Sequence, residues 1–174
     1  MKLAIISGGS KGLGQKLCEQ YLAQGFEVIE FSRTAPHSYS IAIDLALANN
    51  VGQIVSKGLL TLAACEWQEI VVISNAGMLT PMGPASKKES ESVIANLNTN
   101  FVSGIIFMTE VLRHFQSHKG KKTLVSISSG AALGERAGWS LYCGAKAGLE
   151  HFIRSVAKEQ EVESHPFKVI NVDP

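Results

Sequence analysis

The sequence predicts an α/β fold: six strands in one doubly wound parallel sheet, helices on both faces, one domain over residues 1–174. Three observations carry that prediction. Short β-branched runs alternate with longer segments of helical period, the signature of repeated strand–helix–strand units. The runs are apolar throughout and do not alternate with polar residues, as strands buried on both sides require. A glycine-rich turn follows the first run and opens the first helix, where a parallel sheet of this kind places a phosphate.

The elements follow in order. Leu3 to Ile6 is a wholly apolar strand. Leu13, Leu17 and Tyr21 recur at helical spacing up to Gln24, and Gly25 is a stop signal. Phe26 to Phe31 is the second strand, and Ile41 to Asp44 a short third. Val51, Ile54, Val55, Leu59 and Leu62 mark the next helix, and Ile70 to Ile73 the fourth strand. The segment Met78-Leu-Thr-Pro-Met-Gly-Pro84 reads as a loop at the carboxyl edge of the sheet. Ser86-Lys-Lys-Glu89 resembles a capping box, opening a long helical region to about Ser117 with a break near Asn98. Thr123 to Ile127 is the fifth strand, Trp139 to about Glu163 a helix, and Phe167 to Val172 the sixth strand.

Composition excludes several classes. With 45% hydrophobic and 18% charged residues the chain has the make-up of a packed domain, not of a disordered one. A formal charge of +1 offers neither nucleic acid nor a membrane surface a basic face. Cys18, Cys65 and Cys143 lack metal-ligand spacing, and their odd number suits free thiols in a reducing compartment. The first residues, MKLAIISGGS, form too short an apolar run for a membrane span or a signal peptide, which points to the cytoplasm. His114, His118 and Lys119 cluster near the end of the long helix, where cations suit the helix dipole, so no metal site is expected.

The first glycine turn is Ser7-Gly-Gly-Ser-Lys-Gly-Leu-Gly14, with Gly8, Gly12 and Gly14 spaced G-x-x-x-G-x-G. Glycines there allow a tight turn and a close backbone approach to a diphosphate, and the helix behind aims its free amides at it. The turn, from Gly8 through Ser10, Lys11, Gly12 and Leu13 to Gly14, is therefore a candidate Rossmann-type dinucleotide site. The second strand ends in Ser32-Arg33, not in an acidic residue. A guanidinium pairs well with a ribose 2′-phosphate, and Lys11 adds a second cation, so the tip favours NADP(H) over NAD(H).

Tyr142 and Lys146 stand four apart in Ser140-Leu-Tyr-Cys-Gly-Ala-Lys-Ala-Gly148 and share one face of a helix. A free phenol ionises near pH 10, and bringing it to neutrality takes roughly 4 kcal/mol, within reach of a close ammonium and a cationic nicotinamide ring. The small residues Gly144, Ala145, Ala147 and Gly148 leave room for a cofactor to approach. Ser128 and Ser129 lie at the carboxyl end of the fifth strand, where a hydroxyl can hold a substrate carbonyl.

Taken together, GGSKGLG, Asn75-Ala-Gly77, Ser129 and Tyr142-Cys-Gly-Ala-Lys146 resemble the short-chain dehydrogenase/reductase family, over Met1 to Pro174. Ser128-Ser-Gly-Ala-Ala132 and Gly138-Trp-Ser-Leu-Tyr-Cys143 are similar to its sepiapterin reductase and benzil reductase-like branch. The resemblance implies the following roles. Ser129, thirteen positions before the tyrosine, is the catalytic serine. Tyr142 is the general acid for ketone reduction, and Lys146 binds the nicotinamide ribose. Asn75, Ala76 and Gly77 line the adenosine side, and Asp44 holds the adenine amino group. Asn100, with Asn98 as the alternative, supports a proton-relay water. The resemblance also implies a homodimer or homotetramer through the long helix, whose apolar stripe is Phe101, Ile105, Met108 and Leu112, and the tyrosine-bearing one.

The family pattern continues past the final proline with a glycine, a substrate loop, a helix and a last strand, whereas this sequence ends Asn171-Val-Asp-Pro174. The expectation is thus a Rossmann domain without that last strand and loop. Its expected activity is NADPH-dependent reduction of a small carbonyl substrate, such as a pteridine side-chain ketone or an aromatic diketone. A nucleotide-binding relative without turnover is the alternative. A sugar-nucleotide epimerase is disfavoured, because no large C-terminal substrate domain is present.

Overall fold

A computed structural model describes residues 1–174. Six strands form one sheet, all pairs parallel, in the order β3-β2-β1-β4-β5-β6. The strands are β1 (Lys2–Ser7), β2 (Glu27–Ser32), β3 (Ser40–Ala42), β4 (Glu69–Ser74), β5 (Lys121–Ile127) and β6 (Lys168–Val172). The helices are α1 (Gly12–Ala23), α2 (Ala48–Ala63), α3 (Ser90–Leu97), α4 (Ser103–Phe115) and α5 (Ser140–Gln160). This is the doubly wound arrangement that the sequence predicts. Its topological switch point lies between β1 and β4, where an open parallel sheet forms a crevice at the carboxyl ends of its strands.

The two sheet faces bury different side chains because successive residues of a strand point opposite ways. Leu3, Ile5, Phe31, Ile70, Val72 and Leu124 join the larger core with α2, α4 and α5 through Val51, Val55, Leu59, Phe107, Val111 and Ile153. Ala4, Ile6, Val28, Val71 and Ile73 face α1 and its Cys18, with Leu17 and Tyr21 packed beside them. Burying a large apolar side chain contributes roughly 1.5–3 kcal/mol, so these two layers fix which way each strand faces. No helix of the chain is long and apolar enough to cross a membrane.

Two boundaries depart from the sequence reading, and the expected helix break takes a definite form. The Ser86–Glu89 segment does not cap a helix. Ala85–Lys87 forms one 3-10 turn, closed by the Lys87 N–H on the Pro84 carbonyl at 3.1 Å, and α3 begins at Ser90 with Glu89 extended before it. The break expected near Asn98 is a π turn over Asn98–Val102, in which the Ser103 N–H reaches back five residues to the Asn98 carbonyl. The last strand starts at Lys168, because the Phe167 N–H is already taken by Gln160 Oε1 at 2.8 Å.

Candidate functional site

A cavity of about 770 Å³ opens at the switch point. That volume lies in the range of small-molecule and cofactor clefts, about 300–1,000 Å³. It gathers every cofactor-side residue named from the sequence other than Tyr142 and Lys146. These are Gly8, Ser10, Lys11, Gly12, Leu13 and Gly14 of the turn after β1, Ser32 and Arg33 at the end of β2, Asp44 after β3, and Asn75, Ala76 and Gly77 after β4. A second hollow of about 120 Å³ lies among Ala132, Leu133, Ala147, Glu150, His151 and Arg154 and contains none of the predicted site residues.

The turn after β1 is held from behind. Asn75 donates through Nδ2 to the carbonyls of Ser7 (3.2 Å) and Gly8 (3.0 Å), and Ser7 Oγ accepts from the backbone N–H of Asn75 (3.1 Å) and Ala76 (3.3 Å). Gly8 has φ +74°, and a Cβ there would stand 2.8 Å from the Ala76 Cα. Only glycine meets both conditions. Helix α1 then begins with no capping side chain and no acidic residue in its first turn, which leaves its leading amides free for an anion. Lys11 and Arg33 are exposed at the cavity, and the protein's ion pairs involve neither. Asp44 Oδ1 accepts the Ala46 N–H at 3.0 Å. This cradle of glycine backbone, free amides and unpaired cations fits a dinucleotide diphosphate.

Helix α5 carries Tyr142 and Lys146 on one stripe. Lys146 is 4% exposed, donates to the Ile127 carbonyl at the end of β5 (2.8 Å), and lies 5.7 Å from the centre of the Tyr142 ring. Burial lowers its pKa below the usual lysine value. Trp139 sets its ring edge-on to Tyr142 with centroids 6.2 Å apart, and the Arg136 guanidinium lies 5.3 Å from the Trp139 ring. Ser129 and Ser128 part company here. Ser129 Oγ accepts the Ala131 N–H (3.2 Å), which leaves its own hydrogen free to donate. Ser128 Oγ instead donates to Glu150 Oε2 at 3.4 Å.

Asn100 is 2% exposed inside the π turn. Its Oδ1 accepts the Met78 N–H (2.8 Å), and its Nδ2 donates to the Met78 carbonyl (2.7 Å) and to Asn96 Oδ1 (3.0 Å). A Cβ on Gly77 would stand 3.3 Å from Asn100 Oδ1 and 4.0 Å from Lys146 Nζ, so these three residues meet. Asn98 points elsewhere, donating to the Ala46 carbonyl at 2.8 Å. With both amide hydrogens engaged, the Asn100 side chain positions the loop after β4 and has none to lend a water.

Sequence reasoning missed two residues. Asn96, with no exposure, donates to the carbonyls of Met78 (3.3 Å) and Thr80 (2.7 Å) as well as receiving Asn100. Its only sequence signal is an amide four residues, one helical turn, before Asn100. Glu30, equally buried, accepts the Gly9 N–H and the Ser32 hydroxyl. Its signal is a charge inside an otherwise apolar strand. One assignment needs correcting: Gly148 leaves room for the Phe101 ring, which a Cβ would approach to 3.0 Å, and not for a cofactor. His114 and His118 bond Ser56 Oγ (2.9 Å) and the Ala63 carbonyl (3.0 Å) across to α2.

Known proteins resemble this chain along its whole length. A family model described as short chain dehydrogenase matches residues 2–174. Benzil reductase ((S)-benzoin forming) of Bacillus subtilis (strain 168) is 36% identical over 179 residues, covering 100% of this chain and 74% of that protein. The benzil reductase of Bacillus cereus is 30% identical over 190 residues, covering 100% and 75%. A crystal structure of a short-chain dehydrogenase/reductase from Burkholderia vietnamiensis superposes with a TM-score of 0.83 at 25% identity, over 99% of this chain and 82% of that one.

Proposed function

Because this chain belongs to the short-chain dehydrogenase family, and is thereby an oxidoreductase of C=O and CH–OH groups using a nicotinamide cofactor, we propose that it is an NADPH-dependent carbonyl reductase acting as one domain. The observation that carries this reading is the buried Lys146 ammonium beside the Tyr142 ring, on a helix whose stripe meets the same sheet edge as the diphosphate-sized cradle. The two unpaired cations at that cradle, Lys11 and Arg33, support NADP(H) over NAD(H). The benzil reductases among the relatives support a diketone as substrate, and a pteridine side-chain ketone has the same reacting group.

When bound, the nicotinamide ring supplies the hydride to the carbonyl carbon. Ser129 donates its free hydroxyl hydrogen to the carbonyl oxygen, which polarises the bond and fixes its direction. Tyr142 gives its phenolic proton to the oxygen as negative charge builds there. Lys146 spends one of its three hydrogens on Ile127 and keeps two, one for a ribose hydroxyl and one toward the phenol. Its charge stabilises the oxygen anion that Tyr142 leaves behind. An ammonium that burial makes readier to lose a proton suits a relay. Asn100 and Asn96 hold the backbone of Met78 against this group.

Phe101, Ile105 and Leu112 keep part of their apolar surface exposed, on which the reading of a homo-oligomer through the long helix and α5 rests, whereas Met108 lies wholly in the core. The test of the whole reading is NADPH oxidation with a panel of aromatic diketones, on this chain and on Tyr142→Phe. Turnover that falls by about 10²-fold or more in the variant, the usual worth of a general acid, is expected. Cofactor binding without turnover in either protein would overturn the enzyme and leave a nucleotide-binding relative.

A further inference from the structure

Glu30 is a charged side chain with no exposure, and no step of the proposed reaction uses it. It has no lysine or arginine partner. Instead each carboxylate oxygen takes one hydrogen bond. Oε2 accepts the backbone N–H of Gly9 in the glycine turn (3.1 Å), and Oε1 accepts the hydroxyl of Ser32 at the end of β2 (3.0 Å). Ser32 Oγ in turn accepts the Ala35 N–H at 3.2 Å. A serine has one hydroxyl hydrogen, so Ser32 has none left to offer the cavity that it lines. The second glycine of the turn is what admits the carboxylate: a Cβ on Gly9 would stand 2.8 Å from Glu30 Cβ and 3.0 Å from Oε2.

We propose that Glu30 is a specificity-determining residue that acts through Ser32, withholding its hydroxyl from the ribose 2′-phosphate and so restraining the preference for NADPH over NADH. The inference rests on the reading that a nicotinamide dinucleotide lies in this cavity with its adenosine ribose at Ser32 and Arg33. Recognition of the 2′-phosphate then falls to the exposed cations Arg33 and Lys11, and the buried carboxylate ties the phosphate-facing turn to the ribose-facing strand end.

Glu30→Gln tests this. The amide oxygen still accepts the Gly9 N–H, while the amide nitrogen donates to Ser32 Oγ and turns the serine hydrogen outward. Fluorescence titration of the full chain with NADPH and with NADH separately then gives the ratio of their affinities. The ratio shifts toward NADPH by roughly tenfold, the worth of one hydrogen bond to a charged group. Glu30→Ala, which also releases the hydroxyl, moves it the same way. Ser32→Ala added to either variant cancels the gain. The inference is overturned if both cofactors bind and the ratio stays within about twofold of its starting value, a change too small for such a bond, or if the gain survives Ser32→Ala. If the unaltered chain binds neither cofactor, the dinucleotide reading fails first and Glu30's role falls with it.

Discussion

Replacing Asn96 with leucine keeps the shape of a fully buried side chain and removes all of its hydrogen bonding. Two donated bonds disappear, to the carbonyls of Met78 (3.3 Å) and Thr80 (2.7 Å), and so does the bond accepted from Asn100 (3.0 Å). Met78 keeps Asn100 as a partner, whereas Asn100 keeps Met78 but loses the acceptor of its second Nδ2 hydrogen. The Thr80 carbonyl loses its amide. At about 1 kcal/mol for each neutral bond, with the 3.3 Å contact counted low, the loss comes to about 2–3 kcal/mol. For a domain of this size each kcal/mol moves Tm by about 2–4 °C, so calorimetry should find unfolding about 5–10 °C earlier. Kinetics measured well below that temperature separate positioning from stability. With Asn100 held by Met78 alone, the backbone beside Gly77 and Lys146 loosens. We expect kcat to fall about tenfold, which is about 1.4 kcal/mol of transition-state stabilisation, with KM for NADPH little changed. A Tm within a degree of the starting protein would refute the energetic argument. An early Tm with undiminished kcat would refute the link to the site.

Three further outcomes follow from the same structure. Because burial lowers the pKa of Lys146, the folded state gives up that proton before the unfolded chain does; stability relative to Lys146→Met therefore rises with pH through the window between the depressed value and 10.5, as paired denaturant titrations can measure. Cys18 is buried, and burial with the nearby Glu30 charge pushes its thiol up to about 11, so alkylation near pH 8 should label Cys65 and Cys143 in the native protein and reach Cys18 only in denaturant, by mass spectrometry. Gly8→Ala forces a Cβ against the Ala76 backbone at positive φ, at about 1–2 kcal/mol for the dihedral alone, and isothermal titration should show cofactor affinity falling at least tenfold.

The sheet was readable from sequence because its strands are buried on both faces, and burial writes itself as unbroken apolar runs such as Leu3 to Ile6 and Ile70 to Ile73. The Tyr142 and Lys146 pair was readable because helical period puts residues four apart on one face whatever surrounds them. Single buried polar residues were not. Asn96 looks like any polar position on a helix until Met78 and Thr80 fold over it, and the bond from Glu30 to Gly9 spans 21 residues of chain. Gly148 was misread for a related reason: an empty space on a helix has the same spelling whether a ligand or the Phe101 ring fills it. The capping motif failed because Pro84 had already committed the next residues to a 3-10 turn.

Helix α1 begins at Gly12 behind Lys11, whose side chain makes no bond to the first turn, and that turn carries no acidic residue of its own to balance the positive end. A diphosphate seated there would complete the helix as a serine or aspartate does elsewhere. Ligand affinity and the integrity of the first turn then become one quantity, and the protein's resistance to proteolysis and amide exchange around residues 8–14 should track the supply of dinucleotide.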